Sequence, residues 1–178
     1  ISRVASTVTG AMNTLLIGLR YSGAAVVGYY SSADKIVTLA RQGAVPISDS
    51  LYLYLIANKD FKLVKKLMLI VMPVITLGSI ILFAFAPQVC VFVFGKGFED
   101  AAAPLRCLIP VMIFVLPNYI FGFPVMTPLH IEKFANMSVV FGAIFQVCIL
   151  ATLYFLGLFN IISLCITTSI TEIIVFLF

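Results

Sequence analysis

Four charged residues in a stretch that could otherwise sit in lipid are the first candidates for chemistry. Asp34, Lys35, Arg41 and Asp49 fall within residues 32–55, SADKIVTLARQGAVPISDSLYLYL, which is long enough to cross a bilayer as a helix. At ~100° per residue, with Asp34 at zero, the residues Lys35, Thr38, Arg41, Gln42, Ser48, Asp49 and Tyr52 share an arc of roughly 140°. Ile36, Val37, Leu39, Ala40, Ala44, Ile47 and Leu51 take the other side. A charge within a membrane costs roughly 2.5–3.5 kcal/mol and usually marks a pathway for ions or polar cargo. The expectation is a helix with one face for lipid or neighbours and one for water, ions or cargo.

Arg41 lies deepest. A guanidinium pairs bidentately with phosphate or carboxylate, so it suits an anionic cargo; the other reading is an internal ion pair with Asp34 or Asp49. Asp34 and Lys35 lie near one end and can snorkel to water. Asp49 suits a cation or proton role, or a solvated carboxylate at a helix end. Gln42 and Tyr52 share the polar arc, Tyr52 as a sugar-stacking surface or as part of an interfacial aromatic belt. Glu172, in the apolar run ITEIIVFLF, is the ion-coupling candidate. Arg20 and Arg106 read as snorkelling residues, and His130 stands beside Glu132 without the partners a metal or pH-sensing site needs. Cys90, Cys107, Cys148 and Cys165 are far apart and read as small core residues, not a disulfide or metal framework. No P-loop, H-E-x-x-H or nucleophile elbow is present. The chain is therefore not expected to be an enzyme, and neither metal nor cofactor is expected.

The elements that must position these residues follow from composition. The 178 residues are 62% hydrophobic and 10% charged, with a mean hydropathy of +1.18. So few charges cannot cover a soluble surface of this apolarity. The apolar runs are continuous, which favours helices over a barrel. The expectation is an all-α polytopic membrane protein with six spans, at about 4–20, 27–57, 67–86, 102–122, 134–156 and 160–178. A kink or broken turn is expected at Pro46. Residues 87–100 are too short to cross and suit a short interfacial helix. The net charge of +4 is not clustered with aromatics, so no nucleic acid is expected.

Residues 58–66, NKDFKLVKK, read as a cytoplasmic loop under the positive-inside rule. Alternate crossings then place Arg3, Lys59, Lys62, Lys65, Lys66 and Lys133 inside, and Arg20 and Lys96 outside. The sequence opens at Ile1 and stops at Phe178 within apolar runs, with no visible signal peptide, and reads as a piece of a longer chain.

Two segments carry a resemblance. Gly28, Tyr29, Tyr30, Ser31, Ala33, Lys35 and Ile36, followed by Pro46, Ile47 and Ser48, resemble a helix of the bacterial O-antigen and polysaccharide flippases. Phe94, Gly95, Phe98, Ala101, Leu105, Arg106, Leu108 and Pro110 resemble a later segment of the same family. These flippases belong to the multidrug/oligosaccharidyl-lipid/polysaccharide exporter superfamily, with the multidrug and toxin exporters and the peptidoglycan-precursor flippases. The resemblance implies that residues 1–178 form the C-terminal lobe of a two-lobed, MATE-like transporter. Its implied cargo is undecaprenyl-diphosphate-linked oligosaccharide, moved across the bacterial inner membrane toward O-antigen or other surface polysaccharide. The implied partners are membrane lipid, an N-terminal lobe of the same chain and the polysaccharide polymerase machinery. Arg41 and Lys35 would then meet the diphosphate, within a cavity also lined by Asp34, Asp49, Gln42 and Tyr52. The rivals are a cation exporter or a peptidoglycan-precursor flippase of the same superfamily, a membrane enzyme acting on the same lipid-linked sugar, and a structural membrane subunit.

Overall fold

The computed structural model describes residues 2–21 and 24–177, and the side chains of 10–21 and 25–177. Its regular elements are all helical: α1 (Ser2–Arg20), α2 (Ala24–Asn58), α3 (Phe61–Ala84), α4 (Ala86–Phe94), a 3₁₀ turn (Glu99–Ala101), α5 (Ala102–Phe121), α6 (Phe123–Met126), α7 (Glu132–Phe155) and α8 (Ile161–Leu177). Ser22 and Gly23 of the turn expected after Arg20, and the Arg3 side chain, lie outside the described residues.

Among the described residues, three helical segments, Phe61–Ala84, Glu99–Met126 and Glu132–Phe155, are long and apolar enough to cross a membrane, rather than the six expected. The described part of α8, Ile161–Leu177, is apolar and rises about 25 Å. The polar arc on α2 dilutes its apolar character, although its 35 residues rise about 52 Å and exceed the ~30 Å hydrocarbon layer.

α2 runs unbroken through Pro46. Pro46 and the preceding Gly43 are both exposed, so the missing N–H of Pro46 falls on an outer side of the helix, not in a packed seam. The expected break does not occur there.

The basic segment 58–66 is not a loop either. Lys59 adopts a left-handed conformation (φ 50°) that ends α2. The Asp60 carboxylate accepts the Lys62 backbone N–H at 3.0 Å and caps α3. Lys62, Lys65 and Lys66 therefore ride on the first turns of a membrane-length helix. A side-chain acceptor at the N-cap outweighs the local charge density in deciding where the helix begins.

Within the segment 87–100 and its edge a short helix does form, α4, stopped by Gly95 at φ 95°, where a side chain would be strained. The predicted spans at 102–122 and 134–156 match α5 and α7 to within two residues.

Helix contacts close a ring: α1 on α2, α2 on α5, α5 on α8, α8 on α7 and α7 on α1. α3 lies outside it, against α5. Buried Leu105, Leu108, Val111, Val115 and Ile120 make α5 the most enclosed of the apolar helices, whereas α3 buries only Val64 and Ser79. Small and hydroxylated residues bring the ring helices close, as is usual where lipid removes the hydrophobic drive between them. Ser169 Oγ donates to the Cys107 carbonyl at 2.6 Å, and Ser48 Oγ donates to the Tyr119 carbonyl at 3.0 Å. Gly142 of α7 packs directly under Val175 and Thr171 of α8, where a Cβ would collide with the Val175 side chain.

Candidate functional site

The buried stripe of α2 runs through Tyr30, Ala33, Val37, Ala44, Ser48, Leu51 and Leu55. On the same helical wheel this stripe is centred roughly 100° from the centre of the polar arc. The two overlap only at Ser48 and Arg41. Lys35, Gln42 and Asp49 are exposed and make no hydrogen bond or ion pair among the described residues. Asp34 and Tyr52 are half-buried. The arc therefore does not line one interior cavity of this bundle. Its edge enters at Arg41, Asp34 is half-buried, and Lys35 and Asp49 face outward.

Arg41 is the midpoint of α2, with 17 residues on either side. Its Nη2 donates to Glu172 Oε1 of α8 at 2.7 Å, the one ion pair among the described residues. The expected internal partners, Asp34 and Asp49, do not take this role. Residues seven or eight apart lie on one side of a helix but more than one turn away, whereas α8 presents a carboxylate directly across the interface. Asp34 remains within electrostatic reach of Arg41. The two side chains of the pair retain 32% and 23% of their exposure, so water or a small anionic group can approach.

Asn118 of α5 completes the cluster. Its Nδ2 donates to Glu172 Oε2 at 3.0 Å and to the Glu172 carbonyl at 3.2 Å. Its Oδ1 is buried without a hydrogen-bond partner among the described residues. The amide has turned its donors to the charge, because a bond to an ionised group is worth about 1.5–3 kcal/mol against about 1–3 for leaving an acceptor unpaired. Glu172 is thus held by two helices at once.

One turn away on α8, Thr168 joins a second polar cluster. Gln146 Nε2 of α7 donates to Asn13 Oδ1 at 3.0 Å and to Thr168 Oγ1 at 3.2 Å. Asn13 Nδ2 of α1 donates to Thr168 Oγ1 at 3.3 Å, and Thr168 Oγ1 donates back to the Leu164 carbonyl at 3.0 Å. Asn13 and Gln146 are almost wholly buried. Stacked about 6 Å apart along α8, the two clusters place polar groups from all five ring helices side by side.

Asn118, Gln146 and Thr168 are the residues the sequence reading passed over. Their signal was a lone amide or hydroxyl within an apolar helix, which in a membrane needs a partner.

Arg106 donates Nε to the Phe83 carbonyl at 3.1 Å, with its guanidinium carbon 5.4 Å from the Phe83 ring centre. It ties α5 to the end of α3 instead of simply snorkelling. Cys90 and Cys165 are buried as expected, but Cys148 is exposed on α7. No group of His, Cys, Asp and Glu that could hold a metal occurs among the described residues.

Chemically, the Arg41–Glu172–Asn118 cluster can exchange partners. An incoming anion can replace Glu172 on Arg41 while Asn118 keeps hold of the displaced carboxylate. Comparison with family models, curated proteins and solved structures yields no match to this chain.

Proposed function

We propose that this chain forms one lobe of a bacterial inner-membrane transporter that flips undecaprenyl-diphosphate-linked oligosaccharide toward the outer leaflet for O-antigen or other surface polysaccharide synthesis. The observation that carries the reading is the ion pair between Arg41 and Glu172, set at the middle of the longest helix in an otherwise apolar bundle. An ion pair that only joined helices could be replaced by apolar packing at little or no cost. A pair kept there, with partial exposure, suits a site that trades one anion for another.

In this reading the cargo diphosphate competes with Glu172 for Arg41, and Lys35 provides a second positive charge on the same helix. Gln42, Asp49 and Tyr52 face the second, N-terminal lobe of a MATE-like pair, and Asp34 lies beside Arg41 at the seam. Their outward exposure supports a facing lobe, because a charged helix face needs protein or water against it, not lipid. Glu172, released from Arg41 when the cargo arrives, is the ion-coupling residue of this reading. The prenyl tail stays in the bilayer, and a polysaccharide polymerase takes the flipped product.

The test uses the full-length gene in its host. Deletion is expected to remove surface polysaccharide and to leave lipid-linked oligosaccharide facing the cytoplasm. Complementation with Arg41→Ala fails in both respects, and Arg41→Lys restores part of the export. Unchanged polysaccharide with raised sensitivity to toxic cations would overturn the proposal in favour of a cation exporter. Loss of cell-wall synthesis would favour a peptidoglycan-precursor flippase.

A further inference from the structure

α3 touches the bundle sparingly, with Val64 near its N-terminus and Ser79 near its C-terminus as its buried residues. Near its C-terminus, Ser79 is buried and the Phe83 carbonyl accepts from Arg106. Between these anchors a groove of about 1020 Å³ lies between α3 and the Phe121–Val125 corner joining α5 to α6. The groove follows one face of α3 from Phe61 through Met68, Met72 and Thr76 to Ile80. That is about 29 Å of helix, close to the ~30 Å thickness of a bilayer's hydrocarbon. Its walls are almost entirely apolar, and its one charged lining residue is Lys65, close to the Phe61 end.

Lys62 and Lys66 flank Lys65 on the same turns, all three exposed. They fall within an arc of about 100°. Asp60 is the one acid among residues 58–66, against Lys59, Lys62, Lys65 and Lys66, so this end keeps an excess of positive charge.

We propose that this groove is a binding site for one anionic phospholipid, its acyl chain lying along α3 and its phosphate held by Lys62, Lys65 and Lys66. Both ends of such a lipid find their complement. The apolar wedge is a gap that costs dispersion contacts when unfilled, and a flexible hydrocarbon chain fills it. The lysine cluster selects the headgroup by charge, because each basic residue near an anionic surface contributes about 1 kcal/mol of attraction, a factor of about five in affinity. Zwitterionic lipids supply the same chain without that gain. This site is separate from the Arg41–Glu172 cluster and does not depend on the proposed cargo.

The absence of tryptophan from the sequence makes a clean test available. A single reporter, Met72→Trp, sits in the groove; Val74→Trp, at a position 66% exposed and outside the groove lining, is the control. Each variant of the full chain is reconstituted in phosphatidylcholine vesicles carrying either brominated phosphatidylglycerol or brominated phosphatidylcholine. The expected result is that phosphatidylglycerol quenches Met72→Trp at a mole fraction at least about fivefold lower, with no such preference at Val74→Trp. Replacing Lys62, Lys65 and Lys66 by Gln erases the preference, and replacing them by Arg preserves it. Equal quenching by the two lipids at Met72→Trp would overturn the proposal. A preference that survives the Gln substitutions, or one shared by Val74→Trp, would do the same. If Met72→Trp fails to fold, Leu77→Trp further along the groove provides the same readout.

Discussion

Coupling between Arg41 and Glu172 is the most direct consequence of the site geometry. An exposed ion pair is worth about 0–1 kcal/mol, and stripping one partner from a buried pair costs about 3–5. With side chains 32% and 23% exposed, this pair lies between those limits. Arg41→Gln leaves the Glu172 carboxylate still held by the Asn118 hydrogen bond to its Oε2, so the loss is moderated. Glu172→Gln keeps a polar group facing Asn118 and leaves Arg41 able to reach water.

Each single change is expected to cost about 2 kcal/mol and the double change about 2.5, against about 4 for independent sites, a coupling of about 1.5 kcal/mol. The assay is reversible unfolding of the chain in mixed micelles, followed by far-ultraviolet circular dichroism for the parent, both single variants and the double variant. A coupling below about 0.5 kcal/mol falls within ordinary additivity. It would refute the reasoning, because the 2.7 Å contact would then carry no net energy.

Gly142→Ala places a methyl group against Val175 and is expected to destabilise the α7–α8 contact by about 1–3 kcal/mol, with Val175→Ala restoring most of the loss in the same unfolding assay. Gln146→Leu removes both donors to Asn13 and Thr168 and is expected to cost about 1–2 kcal/mol, read as a lower unfolding midpoint. Cys90 in α4 is buried, and burial pushes its thiol above the usual range, so at pH 7–8 it stays protonated. Maleimide labelling of Cys90 in the folded chain is expected to be slow, to quicken only at a higher pH than for an exposed thiol, and to become complete after unfolding in detergent. Rapid labelling of the folded chain at pH 7 would contradict the burial.

What the sequence alone determined is the helical class, the membrane-like apolarity, most helix positions and the presence of Arg41 deep within a helix. These are local properties. Continuous apolar runs, turn residues and a charge repeating at helical spacing are each written within a few turns of chain. Glu172 was also legible as an unusual charge in an apolar run.

Its pairing with Arg41 was not, because the two residues are 131 positions apart and only helix packing brings α2 against α8. The polar arc of α2 was correctly drawn, but which part of it would face inward depended on the neighbours of α2. Packing chose a stripe about 100° away, which admits Arg41 and leaves Lys35, Gln42 and Asp49 outside. Asn118, Gln146 and Thr168 looked like isolated polar residues until the ring closed around them. The basic segment was misread as a loop because charge density is a weak signal beside the Asp60 cap. The groove beside α3 leaves no trace in any single segment. It exists because of how α3 lies beside the α5–α6 corner, a property of tertiary contacts alone.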